Sequence, residues 1–218
     1  MRDRIYGFTI IRGAAAALAV LAWACGNAEE KVDKPLSPSG LMGVEIPKPR
    51  PKPDFTLTTT EGKPFSFRRD TEGYLTLLFF GYTHCPDVCP IHMANIAAVL
   101  RKLPPSMSER VRVVMVTTDP ARDTPPVLRS WLDHFDRSFI GLVGTEQALY
   151  AAEETAGVMP SMPDQPDSAG DYTIGHAAQV TAFTTDNMAR AVYPSGIRQR
   201  DWAHDIPVLL ALGDKKKS

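Results

Sequence analysis

The chain has 218 residues, 44% of them hydrophobic, which is enough for one globular domain with extensions. Its 24 basic and 25 acidic residues nearly cancel, so no global basic excess points to nucleic acid. Three cysteines are too few for a disulfide scaffold.

The N-terminus reads as an address. Arg2, Arg4 and Arg12 precede a small and apolar run from Gly13 to Cys25. A basic start followed by a short apolar stretch predicts a secretory signal over residues 1–25. The unbroken run is short for a membrane span, and extending it backwards would bury Arg12. Cys25 ends the run and Gly26 follows, which resembles a bacterial lipoprotein signal whose cysteine is lipidated. Trp23 and Ala22 fit that pattern imperfectly, so an uncleaved anchor and ordinary cleaved export remain open. Each of the three places the domain outside the cytoplasm.

Residues 26–53 are polar and rich in proline. The run from Ile46 to Pro53 alternates proline with basic residues, a pattern that sustains neither a helix nor an interior strand. It predicts an extended, semi-rigid tether rising about 3 Å per residue. Lys48, Arg50 and Lys52 read as solvated charges, with contact to anionic lipid as the alternative.

The globular domain is expected over residues 54–213. Phe55–Thr59 alternates, Glu61-Gly62 suits a turn, and Phe65 and Phe67 alternate beyond it, predicting a hairpin. The apolar run Tyr74–Phe80 predicts a buried strand, broken by Gly81. Cys85 and Cys89 follow, with three residues between them. A helix then fits Ile91, Met93, Ala94, Ala97, Ala98 and Leu100, and Pro104-Pro105 stop it near Leu103. The thiols therefore sit at a strand-to-helix turn. On a helical turn, i and i+4 share one face. The helix dipole favours thiolate there, and Asp87 opposes it. Three readings stay open from these residues: a soft-metal site completed from elsewhere, a redox dithiol, or a structural disulfide. Zinc is less suited, because structural zinc takes four ligands.

Val111–Thr117 is a second strand, making a parallel strand–helix–strand unit. Thr124 is placed to cap a helix with Pro125 in its first turn. That helix should reach about Phe135, its apolar face formed by Val127, Leu128, Trp131, Leu132 and Phe135. Residues 145–157 predict a short helix, and Met159–Gly170 a loop without regular structure. A strand through Phe183, a turn at Asp186-Asn187 and a strand over Ala189–Tyr193 come next. The amphipathic segment Arg198–Leu212 should be kinked or divided by Pro207. Residues 214–218 read as a basic tail.

The stretch Phe80-Gly81-Tyr82-Thr83-His84-Cys85-Pro86-Asp87-Val88-Cys89-Pro90 resembles the signature of the Sco/SenC family of copper-handling proteins. Thr117–Phe135 and Phe139–Gly144 are similar to the family in order and composition, and the similarity spans about residues 50–205. The resemblance implies an α/β fold: a thioredoxin-like central mixed sheet flanked by helices, with an N-terminal hairpin. It implies copper, Cu(I) or Cu(II), bound by Cys85, Cys89 and His176. In the oxidised state a Cys85–Cys89 disulfide would block that binding. It further implies delivery to the cytochrome c oxidase subunit carrying the copper A centre, with a thiol reductant as second partner. The expected location is the periplasmic side of the bacterial inner membrane, with the N-terminus as anchor.

His176 aligns with the family's ligand histidine through Asp171-Tyr172, and two thiolates with one imidazole suit both copper states. Two departures stand out. Gly175 occupies a position that is usually acidic, and Ala177 one that is often serine. His92, three residues past Cys89, could share its helix face but reads as a polar surface residue. His84 is a weaker rival, and His134 and His204 read as solvated. Met159 and Met162 are soft ligands, though a loop or core role fits them better. Asp119, Arg122 and Asp123 match the family's Asp-Pro-x-Arg-Asp-Thr-Pro run. They read as a turn, a cap and an ion pair, with a docking surface as the alternative. The enzymatic rivals are a thiol–disulfide oxidoreductase acting on the oxidase cysteines and a peroxidase using one low-pKa cysteine.

Overall fold

The structure, a computed structural model, describes residues 37–215. The expected export signal with Cys25 and the first part of the tether lie outside them. Among the described residues no helix is long and apolar enough to cross a membrane.

The elements in chain order are β1 (Val44–Pro51), β2 (Thr56–Thr59), β3 (Pro64–Ser66), α1 (Phe67–Asp70), β4 (Leu75–Gly81) and α2 (Val88–Leu100). They continue with α3 (Pro105–Ser108), β5 (Val111–Thr117), α4 (Pro125–Asp133), β6 (Ile140–Val143) and α5 (Glu146–Ala156). The last are β7 (Met162–Pro163), β8 (Ile174–Gly175), β9 (Val180–Phe183), β10 (Met188–Tyr193) and α6 (Gln199–Lys215). Eight strands form one mixed sheet in the order β1-β10-β9-β4-β5-β6-β2-β3, and β7 and β8 pair separately. The expected thioredoxin-like α/β architecture with a leading hairpin, here β2–β3, is what the chain adopts.

β4 and β5 are parallel and central, and every residue of β4 is buried. Their side chains alternate between two cores. Leu77, Phe79, Val113 and Met115 meet Met93 and Ile96 of α2, Leu128 of α4, and Trp202 and Ile206 of α6. Leu78, Phe80, Val114 and Val116 meet Phe67 of α1 and Leu149 and Ala152 of α5. Burying a Leu or Phe contributes about 1.5–3 kcal/mol, so the strands that deliver the thiol turn are the firmest part of the sheet.

Several expectations change here. The tether expected over 26–53 is already sheet at Val44–Pro51, where β1 pairs antiparallel with β10. The prolines permit this because β1 is an edge strand and its register shifts between Glu45 and Arg50. Pro47 and Pro49 fall in that bulge, where no ladder N–H is required. Nor is Lys52 a solvated charge. It is 1% exposed, and its Nζ donates to Thr71 O at 2.8 Å, Thr71 Oγ1 at 2.9 Å and Thr76 Oγ1 at 3.1 Å. The domain therefore begins upstream of residue 54. Met42 and Gly43 donate their N–H groups to the buried Asp205 carboxylate, each at 2.9 Å.

Other changes are in the helices and the 159–170 loop. Pro207 lies inside an unbroken α6, because the helix buries Trp202, Asp205, Ile206, Leu209 and Leu210 along one face and that packing outweighs one lost hydrogen bond. The helix also takes in Asp214 and Lys215, which were expected to start a tail. Thr124 occupies the position before α4, but its side chain makes no cap bond. The 159–170 loop is less irregular than expected, since β7 pairs with β8 at Met162–Gly175 and Pro163–Ile174.

Candidate metal centre

The site lies beyond the C-terminal ends of β4 and β5, where parallel strands commonly place ligands. Gly81 ends β4 opposite Thr117, and the Thr118 N–H donates to Gly81 O at 2.8 Å. Glycine is needed there. A Cβ would lie 2.5 Å from the Phe79 ring and 2.8 Å from Cys89 Sγ. Cys85 N–H closes a turn onto Tyr82 O at 3.3 Å, and α2 starts at Val88, so only Cys89 is helical.

Asp123 braces this turn from the β5–α4 connection. It accepts from the Thr83 N–H at 3.0 Å, from the Thr83 hydroxyl, and from Thr117 Oγ1 at 2.7 Å. Asp119 pairs with Arg122 and accepts from the Tyr172 hydroxyl at 2.9 Å, while the Arg122 guanidinium sits 3.6 Å over the Tyr172 ring. The Asp-Pro-x-Arg-Asp run thus ties β5, the thiol turn and the segment leading to His176 together. These are the bonds its structural reading calls for. His84, Asp119 and Asp123 also bring ligand atoms within 4.8 Å of one another, but both carboxylates are already engaged by these donors.

Cys85 and Cys89 are free thiols in this structure, as the copper-binding reduced state requires. They are 8% and 0% exposed. Ligand atoms of Cys85, Cys89 and His176 all lie within 4.8 Å of one another, and Cys89 Sγ is 3.9 Å from His176 Nε2. The sequence reading named these three, and the fold brings them together from α2, the turn before it, and the residue after β8. Cys85 is held down to about 4, first because the Cys89 thiol donates to it, then by backbone N–H groups of Asp87 and Cys89 and by His176. Cys89 is pushed up by donating to Cys85 and by burial. The pair therefore shares one proton. Asp87 is exposed and makes no side-chain cap bond.

His176 packs edge-on against Tyr82 at 5.6 Å and Phe79 at 5.9 Å between ring centroids. The buried Tyr82 hydroxyl accepts from the Ile174 N–H at 3.2 Å, fixing the approach of β8, and burial keeps the phenol neutral by raising its pKa. His176 Nδ1 is buried with no hydrogen-bond partner among the described residues. Two thiolates and an imidazole at this spacing form a donor set for a soft or borderline ion such as copper.

His92 is a correction. It is 1% exposed, packs 5.4 Å from the Phe79 ring, and its Nε2 bonds Ala178 O at 3.1 Å. Burial lowers its pKa. It shares the inner face of α2 with Ile96 and Val99 and is no surface residue. His84 is exposed and its Nδ1 lies 3.1 Å from Thr83 Oγ1; His134 is exposed. His204 is not merely solvated, since its Nδ1 reaches the buried Asp205 at 2.7 Å. Met159 and Met162 are 76% and 68% exposed, ruling out a core role. Sequence reasoning gave no role to Tyr82, Phe79 or Glu153. The signal for Glu153 was present, since it falls on the inner face of α5 with Leu149, Ala152 and Ala156.

The model of the SCO1/SenC family matches residues 44–211. A protein of Stutzerimonas stutzeri, named as copper-binding, is 31% identical over 173 residues, which are 79% of this chain and 83% of that one. The solution structure of apo Sco1 from Thermus thermophilus is similar at a TM-score of 0.70 and 32% identity, covering 78% of this chain and 97% of that chain. Bradyrhizobium japonicum ScoI, solved with copper bound, follows at a TM-score of 0.65 and 30% identity, covering 74% of this chain and 100% of that chain. With the family pattern matched from β1 into α6 and the paired thiols and histidine converging where β4 ends, the chain belongs to the SCO1/SenC family.

Proposed function

We propose that this chain binds one copper ion through Cys85, Cys89 and His176 and delivers it to the cytochrome c oxidase subunit that carries the copper A centre. The observation that carries the reading is the convergence of these three ligand atoms within 4.8 Å. Membership of the SCO1/SenC family and the likeness to a copper-bound ScoI support it. The chain acts on the periplasmic side of the inner membrane, held there by lipidated Cys25 or an uncleaved signal. Two electrons gate loading. A reductant dithiol reduces a Cys85–Cys89 disulfide, leaving two thiols here and a disulfide on the reductant. Each thiol that still carries a proton then releases it to solvent as copper takes its place on sulfur. The soft thiolates hold Cu(I), and His176 completes the site and lets go when acceptor ligands replace it.

The test is copper per chain on reduced protein, for the parent and for Cys85→Ser, Cys89→Ser and His176→Ala. Binding of one copper that is lost in both cysteine variants is expected. His176→Ala should weaken Cu(II) more than Cu(I). Equal retention of both ions would remove His176 from the ligand set.

A second reading is favoured by the shared proton, because a depressed Cys85 beside a protonated Cys89 also suits thiol–disulfide exchange. The chain would then reduce the oxidase cysteines. His176→Ala decides between them: exchange rates unaffected by it, with no competitive copper binding in the parent, favour the oxidoreductase.

A further inference from the structure

Glu153 has no part in the site as described, yet its environment is unusual for a carboxylate. It is 1% exposed on the inner face of α5. An unpaired buried carboxylate is costly, so its contacts need accounting for. Its Oε2 accepts the Ser161 N–H at 3.1 Å. Its Oε1 is buried and has no hydrogen-bond partner among the described residues. The next residue after Ser161 is Met162, whose β7 register partner is Gly175, and His176 follows Gly175. Glu153 therefore grips the strand that holds the strand that carries His176.

The link is also electrostatic. Burial raises the Glu153 pKa, the bonds to Ser161 lower it, and the charge of a protonated His176 lowers it further. His176 Nδ1 is itself buried without a partner. One ring nitrogen of His176 and one carboxylate oxygen of Glu153 are thus both left without a partner among the described residues. Gly175, directly before His176, brings no side chain to either.

We propose that Glu153 is the positioning residue for His176: its free oxygen accepts the Nδ1–H across one bridging water, and so fixes the tautomer that turns Nε2 toward Cys85 and Cys89. Carboxylates in this relation to a ligand histidine orient the ring and raise its basicity. The inference rests on the Cys85–Cys89–His176 copper reading, and it names the group that tunes the third ligand. The buried Nδ1 of His92 is the competing acceptor, but it is neutral when unprotonated and offers no charge.

The experiment uses the full chain, reduced and metal-free, with nitrogen-15 shifts of the His176 ring as the first readout. Glu153→Gln keeps an oxygen for the Ser161 N–H and removes only the charge. The tautomer balance of His176 should move toward Nε2–H in this variant and stay as in the parent in His92→Phe. On loading, the Cu(II) dissociation constant should rise about 10–100-fold, with Cu(I) affected less. Unchanged ring shifts and a Cu(II) constant within about twofold of the parent, with the fold intact, would reduce Glu153 to a hairpin anchor and overturn the proposal. Should Glu153→Gln not fold, the Glu153 carboxyl carbon-13 shift is read in His176→Ala instead, and no movement there counts against the proposal equally. Failure of the copper reading looks different: the metal-free coupling persists while copper binding ignores the cysteine variants.

Discussion

The two halves of the site are built to opposite standards. The thiol half grows from β4, seven residues with no exposed position, paired along its length to β5 and closed by Gly81 against Cys89. The histidine half hangs from β8, two residues paired to two, with exposed Met162 as a ladder partner. Few buried contacts hold the second half, so it is the cheaper one to move. A site divided this way keeps its two thiolates in fixed relation and adjusts its imidazole. Such an arrangement would suit the proposed carrier, which has to bind an ion and release it.

The comparison breaks most sharply at Asp123. Asp123→Ala strands the Thr83 N–H and the Thr83 and Thr117 hydroxyls, and it should cost about 2–3 kcal/mol in urea unfolding. A cost under about 0.5 kcal/mol would mean the thiol half is not braced from β5. Gly81→Ala comes next, since its Cβ must displace the Phe79 ring and Cys89 Sγ, at about 1–3 kcal/mol. It should also slow or weaken metal binding by moving one sulfur. His176→Ala, by contrast, should stay within about 0.5 kcal/mol of the parent, because its hairpin contributes little to the core. A large loss there would erase the distinction between the halves.

The shared proton gives the thiol half a pH signature. Cys85 is depressed to about 4, so in the folded chain its thiolate persists where an unfolded thiol would already be protonated. The native state then binds fewer protons than the unfolded one. Stability from this group is complete above the ordinary thiol pKa and is lost as pH falls toward about 4. Thiolate absorbance of the reduced, metal-free protein should titrate near that value, and Cys89→Ala should raise the midpoint by removing the first cause. A midpoint in the ordinary thiol range would end the shared-proton account.

The thiol half was legible in the sequence because its signals are local. An apolar run, a glycine and two cysteines at fixed spacing lie within sixteen consecutive residues of one strand, turn and helix. The histidine half was legible only through resemblance. What brings His176 to Cys89 is the Tyr82 hydroxyl on the Ile174 N–H and the β7–β8 pair, contacts across long sequence separations that no periodicity records. β1 was missed for a similar reason. Its prolines argue against an interior strand, but only the sheet order shows that it is an edge and that they fall in a bulge. His92 was misjudged and Glu153 passed over, since a polar residue on an apolar helix face reads as surface until its neighbours are known.

The smallest effect belongs to Gly175, and it tests how the two halves are coupled. Gly175 is exposed, and a Cβ there would meet only Met162 O at 3.7 Å, an ordinary contact. Gly175→Asp should therefore fold with a stability within about 0.5 kcal/mol of the parent. It puts a carboxylate directly before His176, at the position the resemblance marks as usually acidic. If Glu153 already supplies that carboxylate, the new one is redundant, and Cu(II) affinity should rise by less than about threefold. In the Glu153→Gln background the same substitution should recover part of the lost affinity. A rise of about tenfold or more in the otherwise unchanged chain would show His176 lacking a carboxylate, with Glu153 too remote to serve it.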